Sequence, residues 1–323
     1  MDRLRIGVLG VGVQGNLHAQ VLKTIPEADF VGVAEADGAR RSKAEATFGV
    51  LGYGSLDDLL DHVDAVSICL PDHLHEEPTL KALAAGKRVL LEKPMSISTA
   101  SCDRIMAGCP DPDALMIGQI LRFDPRVIRA RELVRAGDIG EIWHAKVWRS
   151  TSQAVGVGIW DRTSVAWFLG VHDADLLRFV TGQEAEVVAA IGRNVLSPGT
   201  EDVVHALLRL DGGAIATMEN SWTLPHSRPS RADAGLRIIG SKGAIEVTLS
   251  HTDLLMVPRE GNAVNMDTYF WPSREGAGAS NLRTELEAFI RAAISKGPSP
   301  IPGSEGRAAV ALVEAVETAL GKQ

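Results

Sequence analysis

LRIGVLGVGVQG, residues 4–15, is the stretch that decides the fold of this chain. Its first half, Leu4–Leu9, is almost continuously apolar, which is typical of a strand covered on both faces of a parallel sheet. The spacing G-x-G-x-x-G follows at once in Gly10, Gly12 and Gly15, and a helical pattern continues to about Ile25. A glycine turn between a strand and a helix predicts an anion-binding loop, because the first turn of a helix offers N–H groups and a partial positive charge.

Each glycine of this loop has its own role in a dinucleotide-binding turn. The first permits the tight turn, the second lets the backbone approach a pyrophosphate, and the third lets the helix pack closely on the strand. We expect Val13 and Gln14, which precede the third glycine, to contact the same ligand. Glu35 lies twenty positions beyond Gly15 and ends the next apolar run. A carboxylate there accepts the adenosine-ribose hydroxyls and repels a 2′-phosphate, so NAD is the expected cofactor and NADP the less favoured one.

Two arginines, Arg40 and Arg41, follow Glu35 closely and leave an alternative open. They could neutralise a 2′-phosphate and so favour NADP. They could also belong to a solvated helix face, which is the usual fate of surface charges. We favour the second interpretation, and NAD with it.

The length and pattern of the chain predict two domains, because 323 residues exceed a typical domain of about 100–200 residues. Up to about residue 120, short apolar runs alternate with helical stretches, as in βαβ units that feed a parallel sheet. Beyond it, tight turns at 211–213 and 240–243 favour antiparallel neighbours. We therefore expect an α/β protein, with a doubly wound parallel sheet in residues 1–121 and an α+β domain with a large open, mainly antiparallel sheet in residues 122–323. Its C-terminal helices are expected to pack back on the first domain.

The apolar runs and helical patterns also predict individual elements. The predicted strands are 4–9, 30–34, 65–70, 87–91, 115–120, 142–149, 187–195, 203–210, 214–223, 236–239 and 244–249. The predicted helices of the second half are 125–136, one through 175–180, 283–295 and 304–320. Ser55 followed by Asp58 is a capping-box pattern, and Gly86 stands where a helix that begins near Glu76 should end.

The composition excludes several classes of protein. Hydrophobic residues make up 45% and charged residues 23% of the chain, as in globular proteins, which excludes disordered and low-complexity chains. With 33 basic and 41 acidic residues the net charge is -8, and no Lys/Arg block could follow a nucleic-acid backbone. Cys69, Cys102 and Cys109 are too few for a disulfide framework or a four-ligand zinc site, and no apolar stretch reaches 18 residues. We expect a cytoplasmic protein without a metal, a membrane partner or a nucleic-acid partner.

Several further motifs carry a resemblance to a known family. They are LPDHLH at 70–75, EKP at 92–94, GVHDAD at 170–175, the stretch 118–125 around Arg122, the run 236–247, and His18 after the glycine loop. Together they resemble the glucose-fructose oxidoreductase, inositol dehydrogenase and MocA family over nearly the whole chain. The histidines 73 and 75 with Asp72 superficially suggest a metal site, but no third spaced ligand supports it, and we interpret them as cofactor-loop residues.

The resemblance implies a Rossmann domain for the cofactor and a C-terminal domain that covers the substrate cleft and makes homodimers or homotetramers through its sheet. It implies hydride transfer between nicotinamide and a hydroxyl or carbonyl carbon of a sugar, a cyclitol or a related polyol. Lys93 is the residue that it places beside the reacting carbon. The other implied cofactor residues of these motifs are Leu70, Pro71, His75, Glu92 and Arg122.

The position of Lys93 supports a catalytic role independently. It follows the predicted strand 87–91 at its carboxyl end, where α/β sheets place ligands, and Pro94 restricts its backbone. An ammonium beside a positively charged nicotinamide ring is expected to have a pKa below its ordinary value of about 10.4. Lys93 could then take the hydroxyl proton as the hydride leaves. The alternative is a surface lysine at a strand end.

His172 is the second catalytic candidate. Asp175 lies three residues on, so the two share a helix face, and a carboxylate there could hold the ring tautomer while the other nitrogen meets the substrate. Asp173 is expected to cap the helix or to bind at the edge of the cleft. Many members of the family that the chain resembles have an aspartate four residues before this histidine, where this chain has Phe168. Either Asp173 or Asp175 replaces that carboxylate, or the substrate is less polar there, or catalysis is lost.

Three further residues are candidates for the cleft. Arg122 follows the last predicted strand of the first domain and could bind an anionic group or form a salt bridge between the domains. Trp160 and Arg162 precede His172 in a glycine-rich stretch and could contact the substrate or simply pack. We therefore predict an NAD-dependent dehydrogenase of a sugar or cyclitol. The alternatives are redox-assisted glycoside hydrolysis with NAD and a cofactor-binding regulator without catalysis.

Overall fold

A computed structural model describes residues 3–227, 230, 232–250, 255–256, 260, 264–265, 273–274, 277–278 and 280–321 of the chain. The chain divides into two compact units. The first comprises residues 1–120 and 269–307, and the second comprises residues 121–268 and 308–323. Among the helices in the described ranges, none is long and apolar enough to cross a membrane.

A six-stranded sheet forms the core of the first unit. Its strands are β1 (Leu4–Leu9), β2 (Ala28–Ala34), β3 (Leu51–Tyr53), β4 (Ala65–Ile68), β5 (Arg88–Glu92) and β6 (Leu115–Gly118). They lie in the order β3-β2-β1-β4-β5-β6, and all neighbouring pairs are parallel. The helices of this unit are α1 (Val13–Leu22), α2 (Gly38–Phe48), α3 (Leu56–Leu60), α4 (Glu76–Ala84), α5 (Thr99–Ala107) and the later α9 (Asn281–Ser295). The doubly wound parallel sheet expected from the sequence is thus confirmed.

The order of these strands positions a ligand site. From β1 the strands β2 and β3 are added on one side, and β4, β5 and β6 are added on the other. In such sheets ligands bind beyond the carboxyl ends of the strands where this order reverses, here between β1 and β4. Local sequence signals place the intervening helices. Ser55 accepts a hydrogen bond from the Asp58 N–H and caps α3, and Gly86 has a φ of 70° just beyond α4. The cap at Ser55 and the helix end at Gly86 were both predicted from the sequence. Strand β3 was not predicted, because its three residues form no apolar run.

A second six-stranded sheet forms the core of the second unit. Its strands are β7 (Ile142–Ser152), β8 (Ala185–Arg193), β9 (Val203–Leu210), β10 (Ile215–Leu224), β11 (Ala232–Gly240) and β12 (Ala244–Thr248). They lie in the order β12-β11-β7-β10-β9-β8. All neighbours are antiparallel except β7 and β10, which are parallel and not consecutive in the chain. The expected mainly antiparallel sheet is confirmed.

The remaining elements complete the second unit. Its helices are α6 (Pro125–Arg135), α7 (Gln153–Val157) and α8 (Val171–Thr181), and α10 (Gly303–Leu320) begins in the first unit and ends in the second. Two two-residue strands, Leu255–Met256 and Val264–Asn265, also belong to the second unit, whereas Ser273–Arg274 and Ala277–Gly278 belong to the first unit. A π-helical turn over residues 166–170 leads directly into α8.

The two faces of the second sheet differ in burial. Along β9, Val204, Ala206, Leu208 and Leu210 are buried, while the side chains between them are exposed. Leu207 is opposite Thr217 of β10 and Ala189 of β8, so the exposed side chains of the three strands share one face. This open face, defined by Ile191, Leu207 and Ile215, leaves these side chains 66%, 41% and 57% exposed, respectively.

A buried carboxylate, Asp202, closes the turn between β8 and β9. One of its oxygens accepts hydrogen bonds from three consecutive backbone N–H groups, those of residues 195–197, at 2.5–2.9 Å. The other accepts from the indole Nε1 of the fully buried Trp222. Burial raises the pKa of this carboxyl group, but the hydrogen bonds outweigh burial and hold the pKa at about 2.

Candidate active site

The glycine loop has the geometry of a phosphate-binding turn. Gly10 has a φ of 84°, and its N–H donates to the carbonyl of Ala34 at 2.8 Å. A Cβ at Gly15 would lie 1.8 Å from the carbonyl oxygen of Gly10, so only glycine permits this packing of α1 on β1. By contrast, no described atom lies within 4 Å of a Cβ built at Gly12, the N-cap of α1. The backbone at Gly12 therefore leaves room for a pyrophosphate.

Glu35 follows β2 and is tied to this loop. One carboxylate oxygen accepts from the backbone N–H of Val11 at 3.1 Å and the other from that of Asp37 at 3.0 Å. Arg41 donates from Nη1 to the backbone carbonyl of Glu35 at 2.7 Å, while Arg40 lies on the exposed side of α2. The carboxylate is thus held beside the phosphate loop, where the adenosine ribose of a dinucleotide binds. Arg41, which could favour a 2′-phosphate, lies next to Glu35.

His75 links the segment after β4 to the turn after β5. Its Nε2 lies 2.9 Å from the carbonyl oxygen of Leu70, and its Nδ1 lies 2.8 Å from that of Pro94. Burial lowers the pKa of His75, and the two carbonyls oppose that shift. His75 is 1% exposed, and both ring nitrogens face backbone carbonyls. Its expected contact with a cofactor stays a prediction, as do those of Leu70 and the exposed Pro71.

Glu92 ends β5 and connects this strand to α1. It is 6% exposed, and its Oε1 lies 2.9 Å from Nε2 of His18 and 3.5 Å from Nε2 of Gln14. Nδ1 of His18 lies 2.8 Å from the hydroxyl of Ser67. Burial raises the pKa of Glu92, but the hydrogen bond and charge of His18 outweigh burial and leave the pKa below its ordinary value. Glu92 is therefore an ionised carboxylate at the end of the sheet where a nicotinamide is expected.

Lys93 follows at the same edge of the sheet. Its backbone N–H donates to Oε2 of Glu92 at 3.1 Å, and the peptide bond to Pro94 is cis. The residue is half-buried. The carboxyl ends of β1, β2, β4 and β5 thus bring together the glycine loop, Glu35, the 70–75 segment, Glu92 and Lys93. This grouping is what the sequence predicted for the first unit.

A further acidic residue belongs to this group, and sequence reasoning missed it. Glu285 of α9 is fully buried, and one of its carboxylate oxygens lies within 4.8 Å of ligand atoms of both His18 and Glu92. One signal was available, because Glu285 stands on the same helical stripe as Leu282, Leu286 and other apolar residues. Its partners were not visible, since they lie about 190–270 residues earlier in the chain.

In the second unit, Asp175 forms a salt bridge with Arg122. Arg122 donates from Nε at 2.9 Å and from Nη2 at 2.6 Å to the carboxylate, and its guanidinium lies 4.8 Å from the ring centre of Phe179. Asp175 is 1% exposed. This salt bridge leaves the cofactor contact expected of Arg122 and the pairing expected of Asp175 with His172 as predictions. Both partners of this salt bridge lie in the second unit.

Asp173 differs from its expected place. It is fully buried, where an edge or helix-cap position was expected. Arg149 of β7 donates from Nε to Oδ1 at 3.0 Å, and Asn220 of β10 donates from Nδ2 to Oδ2 at 2.7 Å. Arg149 and Asn220 are paired residues of the parallel β7–β10 ladder, so both reach the same carboxylate. Burial raises the pKa of Asp173 although Arg149 opposes it, and its carboxyl group holds α8 against the sheet.

His172 lies in the first turn of α8 and is partly buried, so it has the exposure that a catalytic residue needs. Phe168 precedes it in the π-helical turn and is also partly buried. Trp160 and Arg162 lie in the segment between α7 and this turn, Trp160 partly buried and Arg162 exposed. The roles of His172, Trp160 and Arg162 toward a substrate stay predictions.

The two halves of the chain match two family models. Residues 4–117 match the model of an oxidoreductase family with an NAD-binding Rossmann fold, GFO_IDH_MocA. Residues 127–246 match the C-terminal domain model of the same GFO/IDH/MocA group. The two matches together span most of the chain, and they correspond to the parallel sheet and to the mainly antiparallel sheet.

Individual relatives resemble the chain from end to end. Myo-inositol 2-dehydrogenase of Thermotoga maritima is 29% identical, over 98% of this chain and 96% of that protein. Scyllo-inositol 2-dehydrogenase (NAD(+)) of Bacillus subtilis is 28% identical, over 82% and 80%. The crystal structure of scyllo-inositol dehydrogenase from Lactobacillus casei with bound NAD(H) and scyllo-inositol shares the fold. Its TM-score is 0.83 at 23% identity, over 99% of this chain and 98% of that one.

Proposed function

The chain belongs to the GFO/IDH/MocA family of NAD-dependent oxidoreductases, and from this premise we propose that its substrate is a cyclitol of the inositol class, oxidised at a ring hydroxyl. The observation that carries the proposal is the end-to-end match to relatives named as inositol dehydrogenases. The glycine loop and Glu35 fit NAD, because Gly12 leaves space for the pyrophosphate and Glu35 offers acceptors for the ribose.

The proposed chemistry starts from the cofactor end of the first sheet. When bound, NAD supplies the nicotinamide carbon that accepts the hydride. Lys93 takes the proton of the substrate hydroxyl, since it follows β5 at the edge of the sheet where ligands bind. In the second unit, His172 of α8 is a proposed substrate-binding residue, and Asp175 and Asp173 act on α8 rather than on the substrate. Trp160 and Arg162 are the proposed substrate contacts before α8.

The direct test is a screen of purified protein for NADH absorbance with myo-inositol, scyllo-inositol, other polyols and aldoses, with NAD and NADP in parallel. We expect NADH formation with at least one inositol and a lower rate with the aldoses. Turnover of an aldose and of no inositol would contradict the cyclitol assignment and leave the oxidoreductase assignment intact.

Two rival functions predict different results in the same screen. Redox-assisted glycoside hydrolysis would release a free sugar from a glycoside without net formation of NADH. A cofactor-binding regulator would bind NAD and turn over no polyol, and Phe168 in place of the family's usual aspartate is the feature that motivates it. Neither is favoured by the three relatives from Thermotoga maritima, Rhizobium meliloti and Bacillus subtilis that are named as inositol dehydrogenases.

Replacing Glu35 with serine is expected to shift the cofactor preference toward NADP. The change removes the acceptors of the ribose hydroxyls and the charge that repels a 2′-phosphate, while Arg41 stays beside the site. We expect the KM for NAD to rise and the KM for NADP to fall, each by about tenfold, which corresponds to one charge-assisted hydrogen bond. Asp29→Ser, at the opposite end of β2, is the control and should change neither value. An unchanged NAD/NADP ratio in Glu35→Ser would show that this carboxylate does not select the cofactor.

We also propose that the protein is a cytoplasmic homo-oligomer that associates through the open face of the second sheet. Leu207→Glu would place a charge among the exposed Ile191 and Ile215. Because burial of one such side chain stabilises an interface by about 1.5–3 kcal/mol, the variant is expected to dissociate to a monomer in size-exclusion chromatography with light scattering. Leu51→Glu, at a more exposed leucine of the first unit, is the control. A wild-type protein that is already monomeric would refute the proposal.

A further inference from the structure

Glu285 is a buried acid without a visible partner for its charge. It is fully buried on α9, and neither carboxylate oxygen accepts a hydrogen bond from a described residue. An ionised carboxylate in such a place is strongly destabilised, because burial removes its hydration and nothing replaces it. The group must therefore carry a proton or be neutralised by a cation.

The groups around Glu285 belong to the cofactor end of the sheet. Glu92 at the end of β5 and His18 of α1 each place a ligand atom within 4.8 Å of it and of each other. Both are buried, and their side chains are joined at 2.9 Å. Two further side chains interact electrostatically with this group: Cys69 with His18, and Lys93 with Glu92. Glu92 also interacts electrostatically with His75.

The charges of this cluster balance with one particular arrangement of protons. Burial lowers the pKa of His18, but Cys69 and Glu92 outweigh burial and raise it well above its ordinary value. Burial, and then the charge of Glu92, raise the pKa of Glu285 well above its ordinary value, while His18 lowers it. Among His18, Glu92 and Glu285 alone, an imidazolium, one carboxylate and one neutral acid sum to zero charge, whereas two ionised carboxylates would leave these three buried groups with a net negative charge.

We propose that Glu285 is a neutral carboxylic acid whose hydroxyl group donates a hydrogen bond to Glu92, and that it is a positioning residue for the Glu92–Lys93 segment. The functional part of this inference rests on the proposed dehydrogenase function. Glu92 has two oxygens, of which one receives the His18 ring and the other the backbone N–H of Lys93 at 3.1 Å. A neutral Glu285 adds a fourth donor to that carboxylate, after His18, Gln14 and the Lys93 N–H. An ionised Glu285 would repel Glu92 and weaken its hold on Lys93.

The charge state can be tested by the pH dependence of unfolding of the full chain. A carboxyl group whose pKa is raised in the folded state makes the protein less stable as pH rises from its unfolded value toward the folded one. Glu285→Gln keeps a neutral donor and removes this titration. The unfolding equilibrium constant of the wild type, relative to that of the Gln variant, is therefore expected to rise about tenfold per pH unit above pH ~4.5. Parallel stability curves for the two proteins would refute a neutral Glu285.

Infrared spectroscopy gives an independent test of the proton. At pH 7 the difference spectrum of wild type minus Glu285→Gln is expected to contain the C=O stretching band of a protonated carboxylic acid. The difference isolates Glu285 from other acids whose pKa is raised, such as Asp173. A difference spectrum with only carboxylate bands would overturn the proposal. Because neither test uses catalysis, both results stand even if no inositol is turned over.

The positioning role is tested by turnover of matched variants on α9. Glu285→Gln is expected to keep kcat and the KM for NAD within about threefold, because its amide can still donate to Glu92. Glu285→Leu removes the donor and is expected to lower kcat by about tenfold or more with a smaller change in the KM for NAD, because Lys93 is displaced. Glu287→Gln, on the same helix and paired with Arg283, is the control. Equal turnover of the Gln and Leu variants would show that Glu285 does not position Lys93.

A bound cation is the competing explanation and is decided by metal analysis of the purified full chain. We expect less than a stoichiometric amount of any transition metal, and no change in stability when a chelator is added. A stoichiometric metal that is lost in Glu285→Gln would overturn the proposal, because the three side chains would then be ligands.

Discussion

Replacing Lys93 with methionine is expected to lower turnover of the polyol substrate by about 10²–10⁴-fold, the usual contribution of a positioned acid–base group. Methionine keeps the length of the side chain and removes its proton-binding amine. The affinity for NAD should stay within a few-fold, because the glycine loop, Glu35 and the backbone N–H of residue 93 are unchanged. The measurements are steady-state NADH absorbance with the best substrate and a binding titration with NAD.

Lys87→Met provides the matched control for this prediction. Lys87 immediately precedes the amino end of β5, and its ammonium donates to the carbonyl of Val63 at 2.9 Å, away from the cofactor end of the sheet. Its replacement should leave turnover within about threefold, since it touches no group placed in the site. If Lys93→Met retained wild-type turnover, Lys93 would have no role in proton transfer, and the proposed mechanism would lose its base.

Replacing Asp202 with asparagine is expected to lower the free energy of unfolding at pH 7 by about 2–3 kcal/mol, the linkage energy of a carboxyl group whose pKa is about 2 when folded and about 3.8 when unfolded. Asparagine fits the same space but offers no charge to the three backbone N–H groups and to Trp222. Urea unfolding monitored by circular dichroism is the measurement.

The pH dependence of this effect has a definite sign. The folded pKa of Asp202 is below the unfolded one, so its stabilisation is complete above pH ~3.8 and is lost as pH falls through about 2. The difference between wild type and Asp202→Asn should therefore be constant from pH 5 to 8 and shrink below pH ~4. Glu246→Gln, which alters an exposed ion pair with Arg237, is the control and should change little. A difference that persisted unchanged at pH 2 would show that the charge of Asp202 is not the cause.

The buried acids of α8 show how a helix that resembles a catalytic motif is used structurally. The sequence predicted that Asp173 or Asp175 could replace the carboxylate missing at Phe168. In the structure Asp173 is bound by Arg149 and Asp175 by Arg122. Removal of one partner from a buried ion pair typically destabilises the folded state by about 3–5 kcal/mol. Both carboxylates therefore have a structural role that is independent of catalysis.

Much of the cofactor end of the sheet could be predicted because its signals are local. The glycine loop, the acid at the end of β2 and the Glu92–Pro94 turn each follow a strand within a few residues. Once the strands are parallel, their carboxyl ends meet at one edge, and these groups are brought together by topology alone. The two backbone carbonyls that the ring of His75 meets could not be predicted, because sequence does not reveal which way a ring turns.

The sequence by itself determined the elements, their order and the cofactor, since hydrophobic period, glycine spacing and capping act over a few residues. Only the tertiary structure decided which charges meet. Glu285 joins Glu92 across 193 residues of chain, and Arg149 and Asn220 enclose Asp173 from two paired strands. These contacts depend on how helices pack on sheets, and the free energy of a buried charge depends on every neighbour within a few ångströms, which no local pattern records.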